Sequence, residues 1–64
     1  MTTDTGTLLT TAEAAERLGI RSELLTQWRY QRTGPPFHRL GRLVRYDLAD
    51  IETWREDQRV TPGA

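Results

Sequence analysis

Sixty-four residues with no cysteine can build one small domain around a single thin core, with no disulfide and no thiolate metal site. A lone histidine does not supply a metal site by itself, no apolar run approaches membrane-spanning length, and the N-terminus lacks a basic-then-apolar signal pattern. The expected location is therefore the cytoplasm, with DNA directly reachable if the host is bacterial, and no membrane partner is expected.

Net charge is zero, which argues against nucleic acid until the distribution is read. Residues 1–16 and 47–64 are each acidic, whereas residues 17–46 hold seven arginines against the single acid Glu23. A basic middle between acidic ends is a local electrostatic footprint for phosphate. All nine basic residues are arginine. The guanidinium fork suits phosphates and guanine edges, and a GC-rich coding bias explains the usage equally well.

Residues 1–7 are polar and threonine-rich and are expected to form a tail, after which Leu8 and Leu9 enter the fold. Thr10 followed by Glu13 is a capping box, which predicts a helix from Thr11 to Leu18. Ala14, Ala15 and Leu18 line its apolar stripe, Gly19 ends it in the left-handed conformation, and Ile20 plugs the corner. A second helix is predicted from Arg21 or Ser22 to about Gln31, with Leu25 and Trp28 facing the core. The small Ala15 lets two helices cross steeply over a short turn. Alanine, glycine and corner isoleucine together resemble a DNA-binding helix-turn-helix; a plain helical hairpin needs only an apolar face.

The second helix offers Ser22, Glu23, Thr26, Gln27, Arg29 and Tyr30 on its other face. In a helix-turn-helix this element enters the major groove with its N-terminal residues nearest the bases. Thr26 and Gln27 are types that hydrogen-bond base edges, and Arg21 is suited to a base or a phosphate. Glu23 either accepts from cytosine or simply favours the helix N-terminus. A solvated polar surface is the bland alternative for each.

Thr33-Gly34-Pro35-Pro36 stops the helix, with the glycine supplying the reversal and the prolines holding the chain extended. Phe37 to Leu40 and Leu43 to Tyr46, joined by Gly41-Arg42, predict a β-hairpin with Leu40 opposite Leu43, Arg39 opposite Val44, His38 opposite Arg45 and Phe37 opposite Tyr46. Phe37, Val44 and Tyr46 then share the face that lies on the helices. The spacing does not settle which way Leu40 and Leu43 point. Arg39, Arg42 and Arg45 make the hairpin a basic wing for phosphates or a narrow minor groove, with Arg32 and His38 on its flank; an edge ribbon charged against aggregation is the alternative. His38 has no visible partner in the sequence. Asp47 is expected to cap a last helix whose buried stripe is Leu48, Ile51 and Trp54. Its outer face carries Asp50, Glu52, Glu56 and Asp57, either solvated or meeting arginines of a neighbouring copy on DNA. Residues 59–64 are expected to be a tail, leaving residues 8–58 as the domain.

The run LLTTAEAAERLGI, Trp28, the stretch GPPFHRLGRLVRY and the following DLADIETW resemble the excisionase-type branch of the MerR-like winged helix-turn-helix proteins over about residues 8–58. The resemblance implies a mainly α fold with a small β-hairpin, ordered helix, helix, hairpin wing, helix. It implies binding of short double-stranded DNA sites, with the second helix in the major groove and the wing in the minor groove. It places Ser22, Thr26 and Gln27 on the recognition helix and Arg39, Arg42 and Arg45 on the wing. Many such proteins are recombination directionality factors that bind repeated sites, bend DNA and help an integrase excise an element; others are small transcriptional regulators. Integrase and neighbouring copies of the chain are accordingly expected partners, and the resemblance implies a bacterial or phage-encoded protein associated with the nucleoid. Two positions depart from the pattern: Arg21 stands where a serine helix cap is common, and Leu43 where a basic wing residue is common. A protein-interaction module that has lost DNA binding is the reading from a different class, motivated by the acidic ends. No nucleophile–base set, metal-ligand spacing or phosphate loop is present, so neither enzymatic activity nor a cofactor or small-molecule ligand is expected.

Overall fold

The computed structural model describes residues 7–63, and its first helix, α1 (Thr11–Leu18), begins on the predicted capping box. Thr10 Oγ1 accepts from the Glu13 N–H at 3.1 Å while the Glu13 carboxylate accepts from the Thr10 N–H at 2.9 Å. Gly19, at φ 71°, ends the helix: its N–H donates to the Glu16 carbonyl at 3.1 Å, and the Ile20 N–H donates to the Ala15 carbonyl at 3.0 Å. Two otherwise orphaned carbonyls are satisfied and Ile20 is turned onto the core.

The second helix, α2 (Ser22–Tyr30), ends with the same pair of hydrogen bonds but without a glycine. The Arg32 N–H donates to the Arg29 carbonyl at 3.2 Å, and the Thr33 N–H donates to the Trp28 carbonyl at 2.9 Å. This closure needs a left-handed residue directly after Gln31, and Arg32 fills that place at φ 59°. Gly34 also turns the chain as expected, at φ 85°, but the helix itself is closed two residues earlier, on an arginine.

The hairpin joins β2 (His38–Leu40) to β3 (Leu43–Asp47) in the predicted register, with His38 opposite Arg45, Arg39 opposite Val44 and Leu40 opposite Leu43. Gly41 takes φ 65° at the turn, a conformation that L side chains rarely adopt. Phe37 lies just before β2, and its ring packs 6.0 Å from that of Tyr46. One strand was not expected. β1 (Leu8–Leu9) pairs antiparallel with β3, Leu9 opposite Tyr46, giving the sheet order β1-β3-β2. The Thr7 carbonyl accepts from the Leu48 N–H at 3.0 Å. Thr7, assigned to the tail by composition, is therefore hydrogen-bonded into the fold; residues 1–6 of that tail lie outside the described residues.

The last helix, α3 (Leu48–Asp57), presents Ile51 to the core with Leu48 and Trp54 half-buried beside it, and Trp54 packs 5.4 Å from Trp28. The buried cluster is Leu9, Ala14, Ala15, Leu25, Tyr46 and Ile51. β1, all three helices and β3 thus each contribute to one core. Two alanines at the centre allow α1 to lie close to its neighbours, which a larger side chain would push apart. The result is a winged helix-turn-helix: two helices, a hairpin and a closing helix, with a short first strand bracing the hairpin.

Asp47 occupies the N-cap position of α3 but makes no side-chain cap bond. Its Oδ2 instead lies 3.3 Å from His38 Nε2. The predicted cap and the predicted absence of a His38 partner are both corrected by this contact. The reason is register: His38 and Asp47 lie two residues apart along one face of the ribbon, reckoned through Arg45.

Candidate nucleic-acid interface

Leu25 and Trp28 turn inward, leaving Glu23, Gln27 and Tyr30 of α2 exposed and Ser22 and Thr26 half-buried. Arg21 is exposed at the N-cap and makes no side-chain cap bond, so the first turn of α2 is not closed by this chain's own side chains. The Arg21 carbonyl accepts from the Leu24 and Leu25 N–H groups at 3.1 and 3.3 Å.

Arg29 departs from the expected outward face. Its Nη1 donates to Thr11 Oγ1 at 3.3 Å and to Tyr46 Oη at 3.2 Å, and its guanidinium carbon stands 5.8 Å from the centre of the Phe37 ring. The side chain ties α2 to α1 and the sheet. Helical spacing carried the signal: Arg29 follows Leu25 by four residues and so shares its stripe. Arg29→Gln should lower stability by about 1–2 kcal/mol in urea unfolding while leaving the salt dependence of DNA binding unchanged, because the group removed is structural.

A cleft between the end of α2 and β2 gathers Tyr30, Arg32 and Arg39 with Arg29 and Phe37. Arg32 and Arg39 are exposed there, and Arg32 is held in place by its left-handed backbone. That conformation costs a non-glycine residue roughly 1 kcal/mol. Arg32→Gly should therefore raise stability by up to about 1 kcal/mol while reducing the slope of log affinity against log salt by about one. Paired urea and salt titrations of the same variant check both signs.

The hairpin has two unlike faces. Phe37, Arg39, Val44 and Tyr46 share the inner one, where the apolar members reach the core and Arg39 reaches the cleft. His38, Leu40, Leu43 and Arg45 share the outer one, which answers the question left open for the leucines: they are 50% and 53% exposed. Arg42 stands exposed in the turn, and Arg45, half-buried, donates from Nη1 to the Val44 carbonyl at 2.8 Å. His38, Asp47 and Asp50 bring one potential ligand atom each within 4.8 Å of one another, a grouping not foreseen from the sequence. The two aspartates sit at the N-cap and first turn of α3, where free peptide N–H groups already favour carboxylates, and His38 meets them from β2.

Two further arginines are paired with acids of α3, and Arg55 of α3 is exposed. Arg17 Nη1 lies 3.6 Å from Glu52 Oε2, and Arg59 Nη1 lies 3.2 Å from Glu56 Oε2. Two acids considered for contact with a neighbouring copy therefore already have partners within the chain. Arg21, Arg32, Arg39, Arg42 and Arg45 keep guanidinium donors for an external anion. No helix among the described residues is long and apolar enough to cross a membrane.

No protein of curated function matches the chain. A family model described as a helix-turn-helix domain matches residues 8–59, from the first strand past the end of α3. The match spans the two helices, the hairpin and the closing helix whose packing is described above, and the chain belongs to this helix-turn-helix family of DNA-binding domains.

Proposed function

We propose that the chain is an architectural DNA-binding factor of the excisionase kind, which binds attachment-site DNA, bends it and directs an integrase towards excision. α2 enters the major groove with Ser22, Thr26 and Gln27 towards the bases, and Arg21 and Tyr30 beside them. The hairpin follows into the adjacent minor groove, with Arg42 at its tip, Arg39 and Arg45 on its arms, and His38 and Arg32 on its flank. Phosphate contacts position the protein and carry most of the affinity, and α2 selects the sequence.

One observation carries this reading. Six arginines stand outside the ion pairs and the Arg29 contacts, and five of them, Arg21, Arg32, Arg39, Arg42 and Arg45, lie at the start of α2, in the loop that leaves it and on the hairpin, with Arg55 of α3 the sixth; Glu52 and Glu56 of α3 are partnered by Arg17 and Arg59. The likeness of the GPPFHRLGRLVRY stretch to excisionase wings supports the narrower role.

Selection of bound duplexes from random-sequence DNA, followed by footprinting on the DNA flanking its own gene, tests the binding. Protection of short repeated sites is expected, with stimulated excision when a cognate integrase is added. If protected sites overlap only a promoter and excision is unaffected, the excisionase role fails and DNA binding stands. If no duplex is retained, both fail.

A further inference from the structure

We propose that Leu40 and Leu43 form an apolar wedge that enters the minor groove and unstacks a base step, so that the hairpin bends the duplex as well as gripping it. The inference rests on the DNA-binding reading above and adds the element that deforms the DNA.

The two leucines are direct cross-strand partners, so their side chains stand together on one face of the ribbon. That face is turned from the core, and each side chain is about half exposed. Only the Gly41-Arg42 turn lies beyond them. A pair of adjacent leucines at the end of a projecting hairpin is apolar surface that nothing in the described fold covers.

The surrounding charge selects the occupant. Arg42 sits in the turn between the leucines, Arg45 lies two residues from Leu43 on the same face, and Arg39 stands next to Leu40 on the opposite face. No acid lies between Glu23 and Asp47. An apolar tip ringed by guanidinium groups fits a polyanion with an apolar interior. A duplex offers that arrangement: phosphates along both walls of the groove and base faces that become accessible when a step opens. Insertion of leucine-type side chains between base steps costs a few kcal/mol per step and is offset by the bend and the added protein contact it permits.

The test uses the full chain and the duplex recovered by the selection described above. 2-Aminopurine is placed in turn at each position of the segment beside the bases protected by α2, and end-attached fluorophores report the bend. Saturating wild-type protein should brighten one step and shorten the end-to-end distance. The double variant Leu40→Ala/Leu43→Ala should lose the brightening and most of the bend while keeping the footprint, with affinity reduced by no more than about tenfold. The polar pair Leu40→Gln/Leu43→Gln should behave alike, and far-UV circular dichroism should show both variants folded. Arg42→Gln should weaken binding but retain the brightening at saturation. The wedge is overturned if no step brightens under wild-type protein, or if the brightening survives loss of both leucines. It is equally overturned if sedimentation shows a wild-type dimer that the alanine pair splits with no step brightened, since the leucines then meet a second copy. Failure to retain any duplex is a separate result that removes DNA binding itself.

Discussion

Leu25→Ala should leave most of the protein unfolded at room temperature. Leu25 is 1% exposed and belongs to the same buried cluster as Ala14, Ala15 and Ile51, on the helix proposed to select the DNA sequence. Truncating a buried leucine removes its transfer free energy and leaves a cavity, at a cost of roughly 2–5 kcal/mol. A domain of this size holds roughly 3–5 kcal/mol in total. The two quantities are comparable, so there is little margin for partial tolerance. The site has few ways to collapse: its neighbours include two alanines, which have no rotamers with which to fill a gap. Leu24, the adjacent leucine at 36% exposure, is the internal control, and Leu24→Ala should cost less than about 1 kcal/mol. Urea unfolding followed by far-UV circular dichroism and tryptophan fluorescence separates the two variants. A wild-type midpoint for Leu25→Ala would mean that α2 does not pack as described, and the placement of every residue on its outer face would change with it.

The parts of this fold that could be read in advance are those governed by local rules. Thr10 and Glu13 satisfy each other's backbone within one turn, so the start of α1 is legible from two residues. Gly41 and the alternation on either side of it set the hairpin register because the period is two and the turn is short. The parts that escaped prediction depend on residues distant in sequence. β1 is two residues long, too short to display a period, and exists because β3 offers it an edge. Asp47 has the composition and position of a helix cap, yet its carboxylate is oriented by a histidine on the neighbouring strand. Arg32 shows the limit of the glycine rule, since a helix can end by the same hydrogen bonds on an arginine when the next residues over-determine the backbone. Arg29 was legible in principle. Charge suggested the surface, helical period suggested the core, and the period prevailed because Thr11 and Tyr46 supply acceptors and Phe37 supplies a ring face.

With Arg29 engaged by Thr11, Tyr46 and Phe37, the electrostatic part of the proposal has a definite size. Five arginines of the α2 and hairpin segment remain with donors free for phosphate: Arg21, Arg32, Arg39, Arg42 and Arg45. If each neutralises one phosphate, log affinity should fall with log salt at a slope of about −4.5. The triple variant Arg39→Gln/Arg42→Gln/Arg45→Gln should bring that slope to about −1.8 and weaken binding by about a hundredfold or more at physiological salt. Its fold should survive, because Arg39 and Arg42 are exposed and Arg45 contributes one bond to the neighbouring Val44 carbonyl. The loss should be nearly the same for specific and unrelated duplexes, since phosphate contacts carry no sequence information. Thr26→Ala/Gln27→Ala should give the opposite signature, with the salt slope intact and the preference for the selected site reduced. Competition gel shifts at several salt concentrations, with both variants run against both duplexes, distinguish the two effects. A triple variant that kept the full slope would move the phosphate contacts off the hairpin, and the hairpin would then have to be read as a structural ribbon braced by β1.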